Sequence, residues 1–265
     1  MNTQSRIASI LKANTLESAI TGLPTFDLSA LGLEPGLDFP LPDNLRLGHL
    51  AESIVSRLIH ASTTYTILYE NVQVAEGKQT IGELDFIIEE VTTKQVIHME
   101  LAYKFYLLDP SISSEPIRNW IGPNRNDSLI EKLAKTKRKQ FPLLYHDSTK
   151  AALPNIAIED ASQALCLLVS LFIPYEYKAS LNTMYEKAVK GYYLNLEQFA
   201  SLDTATKSYY IPSKKEWGMD PSENEIWTDF RGIEAHLNAC METKQCPLCW
   251  QKQGDAFVAF FVVWW

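Results

Sequence analysis

Gly82-Glu-Leu-Asp-Phe-Ile-Ile-Glu-Glu90 and Gln95-Val-Ile-His-Met-Glu-Leu-Ala-Tyr-Lys104 are two runs rich in β-branched and aromatic residues, separated by Val91-Thr-Thr-Lys94. They read as the second and third strands of an antiparallel sheet, the third reaching about Tyr106. A symmetric turn centred between Thr92 and Thr93 pairs residues whose numbers sum to 185, which sets Asp85 opposite Glu100. Side chains alternate along a strand, so Leu84, Phe86, Ile88, Ile97, Met99, Leu101 and Tyr103 share a core face. Glu83, Asp85, Glu89, His98, Glu100 and Lys104 share the other.

Two carboxylates opposite one another on a sheet face repel by up to roughly 1 kcal/mol even in water, and burial raises that cost. Solvation relieves it, and so does a hard cation held between the oxygens. Lys104 lies two side-chain steps beyond Glu100 on the same face, where an ammonium could position an attacking water beside a metal. The same pattern also describes the solvated outer face of an ordinary hairpin. His98 on that face reads as a hydrogen-bonded neighbour of Glu100, with ligand or proton shuttle as the other roles.

Upstream, Leu47, Leu50, Ala51, Ile54, Val55, Leu58 and Ile59 recur at helical spacing, with Asp43 or Asn44 available as a cap. Glu52 falls at the margin of that apolar stripe, one turn after Gly48, whose missing side chain would permit close approach to the sheet. Tyr65–Val74 reads as the first strand. Downstream, a loop with Pro110, Pro116, Gly122 and Pro123 leads into a helix from about Asp127 to Gln140, which Pro142 should stop. Asp127 stands where a cap is needed. Lys132, Lys135 and Lys139 share one face of that helix. With Lys137 and Arg138 they form a basic stretch suited to backbone phosphates, or to complementing the helix C-terminal dipole.

The 265 residues suffice for one large domain with extensions and a core that needs no disulfide. Hydrophobic residues at 46% and charged residues at 21% exclude a disordered or fibrous chain. The longest apolar runs, Ala164 to Ile173 and Ala256 to Trp265, are too short to span a bilayer. No signal-peptide layout opens the chain, and four cysteines make no disulfide scaffold, so the expectation is a cytoplasmic protein without a membrane partner. A net charge of −8 argues against coating nucleic acid by bulk charge and leaves room for a local basic surface. Residues 1–44 read as a short helix (Ile7, Ile10, Leu11) and a Pro/Gly-punctuated segment wrapped on a core spanning 45–145. Residues 146–265 read as a C-terminal α/β extension, with Ala164–Ile173, Tyr209–Ile211 and Phe257–Trp265 as its strand candidates.

Gly82–Phe86 followed by Met99–Lys104, preceded by a helix bearing Glu52, resembles the PD-(D/E)XK nuclease superfamily. Leu47-Gly48…Glu52, Glu100–Tyr106 and Trp120-Ile-Gly-Pro-Asn-Arg-Asn-Asp127 resemble more closely an uncharacterised bacterial domain family within it. Gly191-Tyr-Tyr, Lys214/Lys215…Trp217 and the C-terminal Phe-Val-Val fit the same family. The resemblance implies an α/β fold with a restriction-endonuclease-like mixed sheet flanked by helices. It also implies a Mg²⁺- or Mn²⁺-dependent phosphodiesterase acting on DNA or RNA. By that resemblance Asp85 and Glu100 are the metal ligands, Lys104 the catalytic lysine and Glu52 the helix acid. Lys132 and Gln140 would turn toward the site, with Lys135, Lys139 and Arg125 on the nucleic acid. One departure stands out: the usual lysine position, two residues after the second acid, holds Ala102. Lys104 is about 6 to 7 Å farther along the strand. The alternative is therefore a catalytically inactive nuclease-fold protein that binds nucleic acid or a protein partner. A rival metal signal, His236, Cys240, Cys246 and Cys249, carries four candidate zinc ligands at unconventional spacing. Tyr209, Tyr210, Lys214, Lys215 and Trp217 mix aromatic and basic residues as single-strand binders do, and equally as a core strand with surface lysines would.

Overall fold

The computed structural model describes residues 2–265, which form an α/β protein of mixed sheet and flanking helices. Its contacts resolve into two compact units, each assembled from separated segments. The first is Asn2–Tyr103 with Glu131–Leu168, and the second is Lys104–Ile130 with Val169–Trp265.

The first unit opens with helix α1 (Thr3–Leu11), whose Ile7 and Ile10 are buried. The segment that follows is irregular but packs Leu16, Leu23, Phe26, Leu28 and Leu31 inward, so it covers the core as its composition suggests. Helix α2 (Leu47–His60) buries Leu50, Ala51, Ile54, Val55, Leu58 and Ile59, each large side chain contributing about 1.5–3 kcal/mol. Its N-cap is Arg46, without a side-chain cap bond, in place of the expected Asp43 or Asn44. Arg57 and His60 in its last turn suit the negative end of the helix dipole.

Strands β1 (Tyr65–Glu76), β2 (Gln79–Glu90) and β3 (Val96–Leu108) are antiparallel neighbours, and β4 (Ser162–Pro174) lies beside β3. The first two run further than their apolar patterns, because Gly77 at φ 62° supplies the left-handed residue of a two-residue turn between Glu76 and Gln79. Between β2 and β3, Phe86↔Met99, Ile87↔His98, Ile88↔Ile97 and Glu89↔Val96 realise the register expected from the turn.

A helical run follows from α3 (Leu129–Lys135) through a π-helical turn, Thr136–Gln140, to a last turn, Phe141–Leu143. Pro142 thus widens the helix instead of stopping it. Lacking an N–H and crowding the carbonyl four residues back, it is accommodated by one inserted residue, with Phe141 N bonding Thr136 O.

Strands β3 and β4 and helix α3 pass from one unit into the other along the chain. In the second unit β5 (Val189–Asn195) pairs in parallel with the end of β4. Helix α4 (Leu196–Leu202) follows, then strand β6 (Ser208–Tyr210) and helix α5 (Phe230–Glu242). Strands β7 (Leu248–Gln253) and β8 (Ala256–Val263) are an antiparallel pair, and β8 also runs parallel to β5. The apolar C-terminal strand is therefore interior, with Phe260, Phe261 and Val262 fully buried.

Candidate functional site

The ladder between β2 and β3 ends at Phe86↔Met99. Glu90 N–H bonds Gln95 O, and antiparallel rungs recur every second pair, so the next rung in that series would join Leu84 and Leu101. Instead Leu101 N–H donates to Asp85 Oδ2 at 2.8 Å. The Asp85 side chain substitutes for a backbone acceptor where the strands part. On β1, Asn71 falls between the pairs Glu70↔Phe86 and Val72↔Leu84, opposite Asp85, and adopts a left-handed φ of 53°. Asparagine tolerates that conformation better than most residues.

The face that carries the acids is covered. Glu100 is 1% exposed and His98 is completely buried, so the solvated-hairpin alternative does not describe it. The helical run 131–143 supplies the cover. The Phe141 ring sits edge-on to His98 at 6.0 Å, and Leu143 fills the space that a Cβ on Gly82 would occupy. Glu100 Oε1 bonds His98 Nε2 at 3.0 Å, and Glu100 Oε2 accepts from Gln140 Nε2 at 2.9 Å. In an unbroken α-helix Lys132 and Lys139 would share a face, being seven residues apart. The residue inserted by the π turn brings Gln140 onto that face instead.

Burial, followed by the charge of Glu100, pushes the Asp85 carboxyl up from 3.8 to about 7. The Leu101 N–H and the Lys132 ammonium oppose the rise, and Glu52 adds to it. Glu52 thus lies within electrostatic reach of Asp85. One of its oxygens is held by His49 Nδ1 at 2.9 Å, and this bond raises the His49 pKa. Gly48 meets no atom within 4 Å of where a Cβ would stand, so its small size serves no close approach. Beside Glu52 opens a polar cleft of about 410 Å³, lined by His49, Ser53, Ser56, Glu70, Asn71 and Glu83 among others.

The remaining candidates are placed as follows. Lys104 Nζ bonds Asp127 Oδ2 at 2.7 Å, so Asp127 is an ion-pair partner. A Cβ at Gly122 would stand 2.0 Å from Asp127 Oδ1, so glycine there is what lets this carboxylate turn in. Ala102 is buried. Arg125 bonds Asp109 Oδ2 at 2.8 Å and lies over the Trp265 ring at 4.4 Å, which gives it a structural task. Lys135 and Lys139 are exposed, whereas Lys132 and Gln140 are half-buried. In the second unit His236, Cys240 and Cys246 line a separate hollow of about 400 Å³, and all four cysteines are free thiols. Among the described residues no three His, Cys, Asp or Glu side chains come together as a metal cage, so the zinc alternative lacks its geometry.

The model of one family, described as a domain of unknown function (DUF1853), matches residues 4–253. The chain belongs to the DUF1853 family. No curated protein and no solved structure matches it. Among the described residues of this DUF1853 member, no helix is long and apolar enough to cross a membrane.

Two residues of the site carried no signal in the sequence. Gln163, far along the chain on β4, bonds His98, and Asn71 looks like any polar strand residue until its φ is known.

Proposed function

We propose that this chain is a Mg²⁺- or Mn²⁺-dependent phosphodiesterase of the PD-(D/E)XK kind, acting on DNA or RNA. The observation that carries the reading is the Asp85–Glu100 pair: two acids on paired strands, Glu100 buried and Asp85 half-buried beside it, with Asp85 unwilling to ionise. The order helix, three antiparallel strands, helix, with Glu52 of the first helix within electrostatic reach of Asp85, supports a restriction-endonuclease-like core.

The donor set fits the ion. Two carboxylates suit a hard cation that keeps several waters and takes up substrate phosphate oxygens. Asp85 and Glu100 would hold it. When bound, such an ion polarises a phosphoryl oxygen and makes a water more acidic. The protein's own part is defined by the contacts above. His98 and Gln140 orient Glu100, Lys132 favours the ionised form of Asp85, and exposed Lys135 and Lys139 offer charge to backbone phosphates. Lys104 would assist the nucleophile after exchanging Asp127 for it. That ion pair and the buried Ala102 favour the second reading, a nuclease-fold protein that binds nucleic acid or a protein partner without turnover.

Thermal unfolding of the wild type and Asp85→Ala across a Mg²⁺ and Mn²⁺ titration tests the reading without a substrate. The wild type should gain about 2.7 kcal/mol at a hundred times Kd, several degrees in midpoint, and the variant should gain nothing. Equal gains in both proteins, or none in the wild type, would overturn it. Single- and double-stranded DNA and RNA then serve as cleavage substrates, with Asp85→Ala as the dead control. Metal binding without cleavage would select the second reading.

A further inference from the structure

Glu100 is held at both oxygens, and one of its partners is itself held by a residue remote in sequence. His98 Nδ1 lies 3.0 Å from Gln163 Nε2, and the same amide nitrogen donates to Phe141 O at 2.7 Å. A backbone carbonyl only accepts, so the amide presents its NH₂ there, and its second hydrogen points at His98. Nδ1 is therefore the acceptor, and the ring proton resides on Nε2, the atom that faces Glu100 Oε1 at 3.0 Å. The bonds close a circuit. Gln163 donates to Phe141 O and to His98, His98 donates to Glu100, and Glu100 accepts from Gln140, the residue before Phe141. Both ends are anchored where the π turn gives way to the last helical turn.

We infer that Gln163 is a positioning residue for Glu100. It selects the His98 tautomer that donates to the carboxylate, and Gln140 fixes the opposite oxygen. A carboxylate offers about four lone-pair sites. The circuit uses two, locks the carboxyl plane and leaves the others for a cation. This inference rests on the reading of Glu100 as a metal ligand. Orienting partners of that kind are commonly worth about 10- to 100-fold in metal affinity.

Two measurements test it. The first is the long-range ¹H–¹⁵N spectrum of the histidines in the metal-free protein, which reports where the His98 proton resides. The wild type should show it on Nε2. Gln163→Glu replaces the donor by an acceptor, and should move the proton to Nδ1 or protonate both nitrogens. The second is Mn²⁺ affinity at fixed pH. Gln163→Ala and His98→Ala should each weaken it about 10- to 100-fold. Because Gln163 acts through His98, the double variant should be no weaker than His98→Ala alone.

Independent, additive losses would assign Gln163 a merely structural role and overturn the inference. So would Mn²⁺ binding indifferent to Gln163→Ala. A wild-type proton on Nδ1 overturns it too, and needs no variant to fold. A wild type that binds no Mn²⁺ overturns the proposed function and the inference with it, so the two failures are told apart.

Discussion

Replacing Asp85 by Asn in the metal-free protein separates an acid pair that is merely tolerated from one that folding finds costly. Asp85 is held near pH 7 by burial and by Glu100, against 3.8 for an ordinary aspartate. A carboxyl whose folded pKa exceeds its unfolded value keeps a proton that the unfolded chain has released. Stability therefore falls as pH rises from about 4 to about 7, and levels off above that. The whole interval corresponds to at most about 4 kcal/mol. Asn keeps an oxygen to accept the Leu101 N–H and, like the protonated acid, carries no charge. Asp85→Asn should then be near neutral or slightly destabilising at pH 4, and stabilising by about 2 to 3 kcal/mol at pH 8. Midpoints of thermal unfolding in EDTA, read by tryptophan fluorescence at intervals from pH 4 to 8, measure the difference. It should appear as roughly 4–12 °C at pH 8. A difference independent of pH, or destabilisation at pH 8, would refute the argument that burial and Glu100 oppose ionisation of Asp85.

Two further outcomes follow from the placement of the lysines. Lys104 and Asp127 are both more than a third exposed, so Lys104→Ala should cost less than about 1 kcal/mol in a thermal melt. Under the proposed function it abolishes cleavage and spares Mn²⁺ affinity, and loss of both would remove Lys104 from the assigned role. Lys135→Ala and Lys139→Ala should each reduce the slope of log affinity for nucleic acid against log salt by about 1. Arg125→Ala should leave that slope unchanged while lowering stability, because Asp109 and Trp265 already occupy the guanidinium.

Much of the first unit was legible in the chain because the signals are local. The β2–β3 register depends on a short turn and on alternation, and both are printed within about twenty residues. The stripe of α2 and its marginal Glu52 are equally local. Legibility ended where a contact depends on which distant segment folds over. Gly48 looked like a site of close approach and is bare, whereas Gly122 and Gly82, unremarked in that role, have neighbours against them. Pro142 looked like a stop, but a helix can absorb a proline by widening one turn, and the packing around Thr136 and Phe141 decides between the two.

By itself, the sequence determined that Asp85 and Glu100 share a strand face with His98, since side-chain alternation and a short turn leave no other arrangement. It determined also that Lys104 lies on that face two side-chain steps beyond Glu100. Only the tertiary structure decided that His98 and Glu100 on this face are buried, that Gln140 bonds Glu100, and that Lys104 bonds Asp127. It alone brought Gln163, sixty-five residues from His98, to set the ring proton. The physical reason is range: periodicity fixes which side of an element a residue occupies, and long-range packing fixes what meets it there.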